Sequence, residues 1–317
     1  MNVKKIAFLS TILLLLVGFY YFYEVRYTGK QKEKADSSKK VLNIKAEDIE
    51  CIRLKKPKDT VVLEKKDNEW FLVEPVKARA DTRAVDQVID RLANETWERE
   101  VNPLPKDLSD FGLADPEIEV TMSGKGLSEP YKVLMGTENP TGSMRYVRVN
   151  QEERVLLVYA RLKDVLDKTP DDLRDKHILR FKEDEVFKIV WRADEKTFAA
   201  EKKENKWVLV EPAGEEIAES EIKSLVWRLD GLKFKKMYEK PDHPLSYYSV
   251  DKPYGIIRIM DEDGELIGGL SFGMRKEPAV SYYAKADGNE TVYELSYDFL
   301  KDLPRPEGEE EEKQAKQ

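Results

Sequence analysis

The sequence predicts an α+β fold: two tandem copies of a mainly antiparallel sheet module, each with one long and one short helix, preceded by a single transmembrane helix. Residues 64–75 and 201–212 are identical at nine of twelve positions, which indicates a duplicated unit. In each copy, short alternating strands lie on both sides of one amphipathic helix, a pattern that favours α+β over parallel βαβ. The uncharged run at residues 6–23 predicts the transmembrane helix.

The separation between the two copies is constant along the chain. Trp70 and Trp207 lie 137 residues apart, and matches at this separation need no net insertion. The further matched pairs are Ile52 with Ile189, Arg91 with Arg228, Leu92 with Leu229, Leu108 with Leu245, Ser109 with Ser246, Pro116 with Pro253, Gly136 with Gly273, Tyr146 with Tyr283 and Val155 with Val292. The repeated positions are mostly aliphatic, aromatic, glycine or proline. What repeats is therefore scaffold, and no nucleophile, base or metal cluster repeats with it.

The apolar run at residues 6–23 is long enough to cross a bilayer, because a helix of this length extends about 27 Å. Lys4 and Lys5 precede it, and tyrosines gather at its far end, where aromatic rings favour the interface. A cleaved signal peptide is the competing interpretation. However, the run is long for one, and bulky residues follow where small residues mark a cleavage site. We expect an uncleaved signal anchor after a cytoplasmic tail of residues 1–5.

The flanks of this anchor give opposing indications of its orientation. The dilysine start resembles a signal n-region and favours export of the large domain. The basic residues between positions 26 and 40 favour the opposite, since positive flanks tend to remain cytoplasmic. We expect export, which would place a single-pass protein in the inner (cytoplasmic) membrane with its large domain on the periplasmic or extracytoplasmic side.

Two polar segments frame the predicted folded part. Residues 24–42 are rich in lysine and predict a flexible charged tether. Residues 304–317 include an acidic run at positions 309–312 and predict a disordered acidic tail. Between them we expect a first repeat at 43–170, a linker at 171–180 and a second repeat at 181–303.

The first repeat is predicted to begin with three short strands. Residues 48–54 and 61–65 alternate in polarity on either side of a Lys-Pro-Lys-Asp turn. Residues 70–73 form the third strand, which Pro75 ends because proline cannot donate to the ladder. Asp81 is the expected N-cap of the long helix. Its apolar positions fall at helical spacing and are Val85, Val88, Ile89 and Leu92. The remaining predicted strands are 117–122, 131–134, 144–149 and 154–159, followed by a short helix at 162–166.

The second repeat follows the same plan. Its long helix has apolar positions Ile222, Leu225, Val226 and Leu229, while Ala218 replaces the capping aspartate. Its later strands are predicted at 255–260, 266–272, 281–286 and 291–295, followed by a short helix at 297–303.

Bulk composition excludes several classes of protein. The charged fraction is 37% and the net charge is −8, whereas a nucleic-acid binder shows a basic face, so we expect no nucleic-acid partner. The one cysteine, Cys51, excludes an internal disulfide framework and a thiolate metal cage, and its apolar surroundings predict a small core residue. The histidines, His177 and His243, do not match at the repeat separation and are expected at the surface or in linkers.

The residues that suggest chemistry have simpler interpretations. Glu74 and Glu211 form a repeated carboxylate pair, but they lie in different copies, and local bonding to backbone or lysine is favoured. Asp261 to Glu265 has calcium-like acidic spacing without the later ligands of a calcium loop, and its Asp-Gly indicates a hairpin turn. The glycines at 264, 268, 269 and 273 do not have dinucleotide or phosphate-loop spacing. We therefore predict no catalytic residue, no metal ligand and no cofactor, and the binding residues stay unknown.

Trp70 and Trp207 allow two interpretations. A tryptophan on a short strand could stack on a sugar or clamp a partner. Its occurrence in both copies, among alternating aliphatic residues, favours a buried anchor in each module.

Three motifs carry a resemblance to a known family: Trp70-Phe-Leu-Val-Glu-Pro75, Phe111-Gly-Leu-Ala-Asp-Pro116 and Asp172-Leu-Arg-Asp175. With the anchor in front, the chain resembles a bacterial family catalogued as domain of unknown function 4340, from the anchor to about Pro304. The second copy departs from the pattern where Ser249 replaces the glycine. Family members are suspected to accompany ABC-type transport systems linked to gliding motility, and the resemblance implies no catalytic residue.

These observations lead to one functional expectation and one alternative. We expect a membrane-anchored, non-catalytic interaction or accessory protein of the bacterial cell envelope, with the membrane and a protein partner, such as an ABC-type transporter, as its contacts. The alternative is an exported binding module for an envelope polymer or small ligand. That function would need an exposed aromatic cleft between the copies, with Trp70 or Trp207 facing outward as its sign. An enzyme would need polar side chains that converge in one pocket.

Overall fold

The computed structural model describes residues 12–13, 15–21, 39–101, 107–150, 152–193, 196–276 and 280–305. These residues fall into two compact units that divide between Asp175 and Lys176. The tail at 1–5, most of the tether at 24–42, part of the anchor at 6–23 and all but two residues of the acidic tail lie outside the described ranges. Among the described residues, no helix has both the length and the apolar character needed to cross a membrane.

Unit 1 is built on a nine-stranded antiparallel sheet. Its strands are β1 (Cys51–Lys55), β2 (Thr60–Lys66), β3 (Glu69–Glu74), β4 (Ala78–Arg79), β5 (Arg99–Glu100), β6 (Ile118–Ser123), β7 (Tyr131–Glu138), β8 (Met144–Val149) and β9 (Leu156–Tyr159). Their order across the sheet is β4-β3-β2-β1-β6-β7-β8-β9-β5. Three helices accompany the sheet: α1 (Thr82–Asn94), α2 (Leu162–Leu166) and α3 (Pro170–Leu173).

Helix α1 covers the core of unit 1 as its sequence predicts. The Asp81 side chain accepts a hydrogen bond from the Ala84 backbone N–H at 3.2 Å, which confirms the predicted N-cap. The predicted apolar stripe is buried in one cluster with the inward residues of the strands, including Ile52 and Leu54 of β1. Burial of this continuous apolar surface is the main force that holds the helix on the sheet.

Unit 2 repeats this architecture with eight strands. They are β10 (Lys188–Ala193), β11 (Lys196–Lys203), β12 (Lys206–Glu211), β13 (Lys236–Tyr238), β14 (Gly255–Met260), β15 (Leu266–Arg275), β16 (Ser281–Ala286) and β17 (Val292–Leu295), with helix α4 (Glu219–Asp230). Their order is β12-β11-β10-β14-β15-β16-β17-β13, which is the order of unit 1 without a counterpart of the two-residue strand β4. The predicted tandem duplication of a mainly antiparallel α+β module is therefore confirmed.

The two copies also share local backbone geometry. The hairpins β2–β3 and β11–β12 turn through two residues with positive φ, Asp67-Asn68 and Glu204-Asn205, a geometry that matches the twist of paired strands. Ser249 keeps a left-handed φ of 58°, close to the 65° of its counterpart Gly112. Ala218 begins α4 without a side-chain cap, as the substitution of the aspartate predicts.

A close backbone approach is repeated as well. A side chain at Gly136 would overlap the carbonyl oxygen of Phe111, and a side chain at Gly273 would overlap that of Tyr248. Each unit has a 3-10 turn, Ser109–Phe111 in unit 1 and Leu245–Tyr248 in unit 2, whose backbone lies against a strand glycine. This contact explains why glycine recurs at both positions.

Several boundaries differ from the predicted ones. Residues 39–42 of the predicted tether belong to unit 1, because Val41 and Leu42 are buried in its core. Leu173, inside the predicted linker at 171–180, packs into the same core, while Leu179 packs against the core of unit 2. The predicted short helix at 297–303 is a 3-10 helix at Phe299–Asp302, which Asp298 caps and after which Pro304 prevents continuation.

Candidate functional site

A cleft of about 530 Å³ opens in unit 1 between the β1–β2 turn, the start of β6 and helix α2. It is lined by Lys56, Pro57, Lys58, Asp59, Glu117, Ile118, Lys163 and Asp167. The strand turn contributes its lysines because Pro57 interrupts the ladder there. Helix α2 contributes Lys163, while buried Leu162 and Leu166 fix the helix on the core.

Lys56 is held firmly in the wall of this cleft. Its Nζ lies 3.1 Å from Asp167 Oδ1 and 3.4 Å from Asp59 Oδ1, and donates to the carbonyl oxygen of Lys168 at 2.9 Å. Only 12% of the side chain is exposed. Because two carboxylates and a carbonyl already surround this ammonium, it acts as a link between the β1–β2 turn and the segment after α2.

Glu117 forms the second charged group of the cleft. One carboxylate oxygen lies 2.9 Å from Lys163 Nζ and 3.0 Å from a guanidinium nitrogen of the buried Arg145. Burial would raise the pKa of Glu117, but the hydrogen bonds and charges of Lys163 and Arg145 together lower it below its usual value. Glu117 is therefore ionised at neutral pH, and Arg145 also binds Glu138 at 2.7 Å.

The charges of this cleft satisfy one another. The two ion-pair groups, around Lys56 and around Glu117, join the sheet to helix α2. A general acid at neutral pH needs a raised carboxyl pKa, and Glu117 is shifted in the opposite direction. Lys58, at the edge of the cleft, is exposed.

Side-chain packing fills the equivalent position in unit 2. Leu300 stands at the position of Lys163, and it packs so closely on Gly255 that a side chain there would overlap it. Pro304 stands at the position of Asp167, and its carbonyl oxygen accepts a hydrogen bond from the Trp191 indole at 3.1 Å. The ring of Phe299 stacks on Phe272 at 5.6 Å. Apolar packing thus replaces in unit 2 the charged groups that line the cleft in unit 1.

The two repeated tryptophans are core residues, as expected. Trp70 is 1% exposed and Trp207 is 6% exposed. Lys65 and Lys202, which are also repeat counterparts, lie over these rings at 5.9 Å and 5.7 Å. Neither indole ring can stack on a ligand from this position, so the outward tryptophan that would signal the alternative function is not found at either site.

Cys51 corrects one prediction. It is half-buried, and it lies on the face of β1 opposite to buried Ile52 and Leu54, so it is not a core residue. Burial is the main cause that raises the pKa of its thiol, and this favours the unreactive protonated form. The prediction was wrong because side chains alternate between the two faces of a strand, and the core-facing positions of β1 begin at Ile52, one residue after Cys51.

The other candidates lie apart from one another. Exposed Glu74 of β3 pairs with Arg53 of β1 at 3.7 Å, across the intervening strand β2. His243 is exposed, and its ring lies against that of Tyr247. His177 forms an isolated antiparallel β-bridge with Lys233 through the backbone. At the predicted hairpin, the Glu265 backbone N–H donates to Asp261 Oδ1 at 2.8 Å, which confirms the turn. Within the described ranges, no group of three or more potential metal-ligating side chains occurs.

Trp227 is a surface feature that the sequence interpretation missed. It lies on helix α4 and is 66% exposed. Its counterpart in unit 1 is Asp90, so the scaffold does not require an aromatic residue there. The sequence does contain an indication that Trp227 is exposed, because it falls outside the buried stripe of Ile222, Leu225, Val226 and Leu229.

A cavity of about 340 Å³ lies beside the outer face of α4. It is lined by Ser220, Glu221, Ser224, Arg228, Lys301, Asp302, Leu303, Pro304 and Arg305. Arg228 forms its floor, since its guanidinium donates to the carbonyl oxygens of Asp302 at 2.7 Å and Phe299 at 3.1 Å. Ser220 and Ser224 share one helical face with Trp227, which is not itself a lining residue of the cavity.

These features define a tandem-repeat α+β protein whose two copies keep one scaffold and differ at their surfaces. The family model described as Domain of unknown function (DUF4340) matches residues 70–217 and 207–309, and the chain belongs to this family. The two successive matches agree with the two copies of the module. No curated protein and no solved structure matches the chain.

Proposed function

We propose that this chain is a membrane-anchored, non-catalytic interaction protein of the bacterial envelope, exported across the inner membrane and associated with an ABC-type transport or gliding-motility-like system. The apolar run at 6–23 and the dilysine start support the anchor and its orientation. Family resemblance alone supports the transport association. The paired charges of the unit 1 cleft support a non-catalytic role.

The observation that carries the proposed interaction is exposed Trp227. A tryptophan side chain buries roughly 200 Å² when it is fully covered. A partner that covers the exposed two-thirds of this indole would remove about 130 Å² from water, which stabilises a complex by about 3 kcal/mol. Tryptophan is enriched at the energetic centres of protein interfaces.

The surroundings of Trp227 suit a protein contact. Ser220 and Ser224 are small and exposed, so a partner can approach the helix closely. The cavity beside these serines is lined by positive and negative side chains, including Arg228 and Asp302. A polar rim around an aromatic centre is the usual anatomy of a non-obligate interface.

One substitution tests this contact. Trp227→Asp introduces the residue that unit 1 has at this position, so it preserves the helix and removes the anchor. The detergent-solubilised native protein and the variant are compared by co-purification, with partners identified by mass. Leu266→Asp is the matched control, because Leu266 is 50% exposed in the same unit. We expect Trp227→Asp alone to lose a specific partner, and equal recovery of every partner with both variants would contradict the proposal.

A labelling experiment tests the orientation. Ser128→Cys places a thiol on an exposed loop of unit 1, and Cys51→Ala removes the native thiol. A membrane-impermeant thiol reagent should label this variant in intact cells whose outer layer has been permeabilised. Labelling only after lysis would place the domain in the cytoplasm, where the basic tether would lie on anionic lipid, and the envelope function would be rejected.

A further inference from the structure

A group of aromatic side chains surrounds an arginine on the surface of unit 2. We name it the aromatic–arginine cluster, and its members are Tyr238, His243, Tyr247, Tyr248, Tyr283 and Arg275. The rings of Tyr248 and Tyr283 meet edge to face at 5.2 Å, and both side chains are almost fully buried. Tyr247 meets Tyr248 edge to face at 5.1 Å but is 40% exposed. The cluster thus has a rigid buried base and an open aromatic surface.

His243 enlarges this open surface. Its ring centroid lies 4.1 Å from that of Tyr247, and the two planes differ by 30°. His243 is also exposed. Two stacked rings held at one edge by a buried base lose little conformational freedom when a ligand covers them, because an aromatic side chain has few rotatable bonds.

Arg275 supplies the polar part of the cluster. It ends strand β15, and its guanidinium carbon lies 4.5 Å from the Tyr247 centroid and 5.9 Å from that of Tyr283. Its Nε is buried and has no hydrogen-bond partner among the described residues. A guanidinium stacked on a ring presents its donors edge-on in a fixed plane, which suits the two oxygens of a carboxylate.

The first copy shows that the scaffold does not need these exposed members. Unit 1 retains the edge-to-face pair, as half-buried Phe111 and Tyr146 at 4.6 Å. At the position of Tyr247 it has Asp110, and at the position of Arg275 it has Glu138, which binds Arg145. The exposed ring and the positive charge are therefore additions of the second copy.

Of the other charged groups near the cluster, Glu294 is paired with its neighbours. Glu294 accepts a hydrogen bond from the Tyr238 hydroxyl at 3.0 Å and pairs with Lys235 at 3.2 Å. Asp242 and Glu239 lie on the chain beside His243, and Lys276 follows Arg275. Arg275 is the cation of the cluster that lies against the rings of Tyr247 and Tyr283, so an anion bound at these rings would meet its guanidinium.

We propose that the aromatic–arginine cluster binds an acidic saccharide, with a sugar ring on the outer side of exposed His243, beside the exposed edge of Tyr247, and its carboxylate on Arg275. The C–H face of a sugar is flat and apolar and matches an open aromatic ring, whereas the planar carboxylate matches the guanidinium edge. The open surface favours an extended polymer over a free small acid, which needs enclosure to gain affinity. This site is separate from Trp227 and does not rest on the protein contact proposed there.

The test measures binding of a galacturonate hexamer to the detergent-solubilised full chain by calorimetry or by NMR of the sugar. A neutral galactose hexamer is the matched probe. We expect the acidic hexamer to bind about tenfold more tightly than the neutral one, since a charge-assisted bidentate pair forms with only one of them. Arg275→Gln should abolish this preference, and Tyr247→Asp, the unit 1 residue, should weaken both probes about tenfold or more.

Control variants distinguish binding at the cluster from binding at any exposed aromatic side chain. Tyr297→Ala removes a tyrosine that is 49% exposed but lies outside the cluster, and it should bind as the native chain does. If thermal unfolding shows that Tyr247→Asp is not folded, Tyr247→Leu replaces it as the variant that removes the aromatic ring. Trp227→Asp should leave saccharide binding unchanged. A failure of the saccharide proposal can therefore be distinguished from a failure of the proposed protein contact.

Three results would overturn the inference. The first is that the native chain binds neither hexamer. The second is that both cluster variants bind like the native chain. The third is that inorganic phosphate or a hexaglutamate peptide displaces the acidic hexamer at equal concentration. The last result would assign the cluster to anions in general or to acidic peptides.

Discussion

Gly136 and Gly273 offer a sharp test of the duplicated architecture, because each admits a backbone carbonyl where any side chain would stand. Gly136→Ala would place a methyl group on the carbonyl oxygen of Phe111 and 3.1 Å from its carbonyl carbon. Gly273→Ala would overlap Tyr248 in the same way and come within 2.8 Å of the Ser249 carbonyl carbon. Carbon atoms normally approach to about 3.5–4.0 Å. No rotamer change relieves the clash, since the neighbours are backbone atoms.

The expected cost follows from this geometry. Overpacking costs about 1–3 kcal/mol, and a backbone clash belongs at the upper end. Glycine to alanine also restricts the unfolded chain, which returns about 0.4–1 kcal/mol. We therefore expect each variant to lose about 2 kcal/mol of unfolding free energy. For a unit of this size, that loss lowers Tm by about 4–8 °C.

Thermal and urea unfolding, followed by tryptophan fluorescence, measure this loss. Gly231→Ala is the control, because its new methyl group would lie 3.5 Å from the nearest atom, an ordinary contact, at a negative φ. It should leave Tm unchanged or raise it slightly. If Gly136→Ala and Gly273→Ala unfold like Gly231→Ala, the repeated close approach does not hold the 3-10 turns on the sheets, and the reasoning fails.

Further predictions concern single side chains. Trp70→Ala and Trp207→Ala should each cost roughly 3–5 kcal/mol in urea unfolding, because each removes a buried indole; a folded variant that loses only binding would contradict their core role. Burial, then the hydrogen bond to Glu294, raises the pKa of Tyr238 to about 12 from 10.0. Its contribution to stability should be complete below pH 10 and disappear as pH rises through about 12, and Tyr238→Phe should remove this step from the alkaline unfolding curve. The lowered pKa of Glu117 has the opposite sign, so its contribution should vanish as pH falls below about 4.5 through the folded pKa, and Glu117→Gln should flatten the acid limb.

The sequence predicted the elements whose pattern is local. The stripe of α1 and the strand Met144–Val149 are found where the periodicity placed them. Strands β4 and β5 escaped prediction, because two residues carry no period and pair only when Leu72 and Leu157 are already in the sheet. The fold of residues 39–42 was missed for a similar reason, since two apolar residues in a lysine-rich segment become a core contact only through distant partners.

The surface features were harder to predict because they are differences between copies. Searching for what repeats directs attention to Trp70 and Trp207, which are structural. Trp227, Tyr247 and Arg275 stand where the first copy has acidic residues, so comparing unlike positions would have found them. Their contacts, such as the stacking of Arg275 on Tyr247, depend on residues far apart in the chain and required the structure.

The matched segments of the family model have a consequence for how this chain is divided into fragments. The first match begins at Trp70, within β3, and continues through β10, β11 and β12 to residue 217. It therefore omits β1 and β2, which pair with each other and join β3 to β6 in the middle of their sheet. A polypeptide cut at these limits would carry β3 without β2 and β10 without β14. The segment that the family model matches is therefore out of phase with the segment that folds as one body, and a fragment intended to fold should end at the division between Asp175 and Lys176.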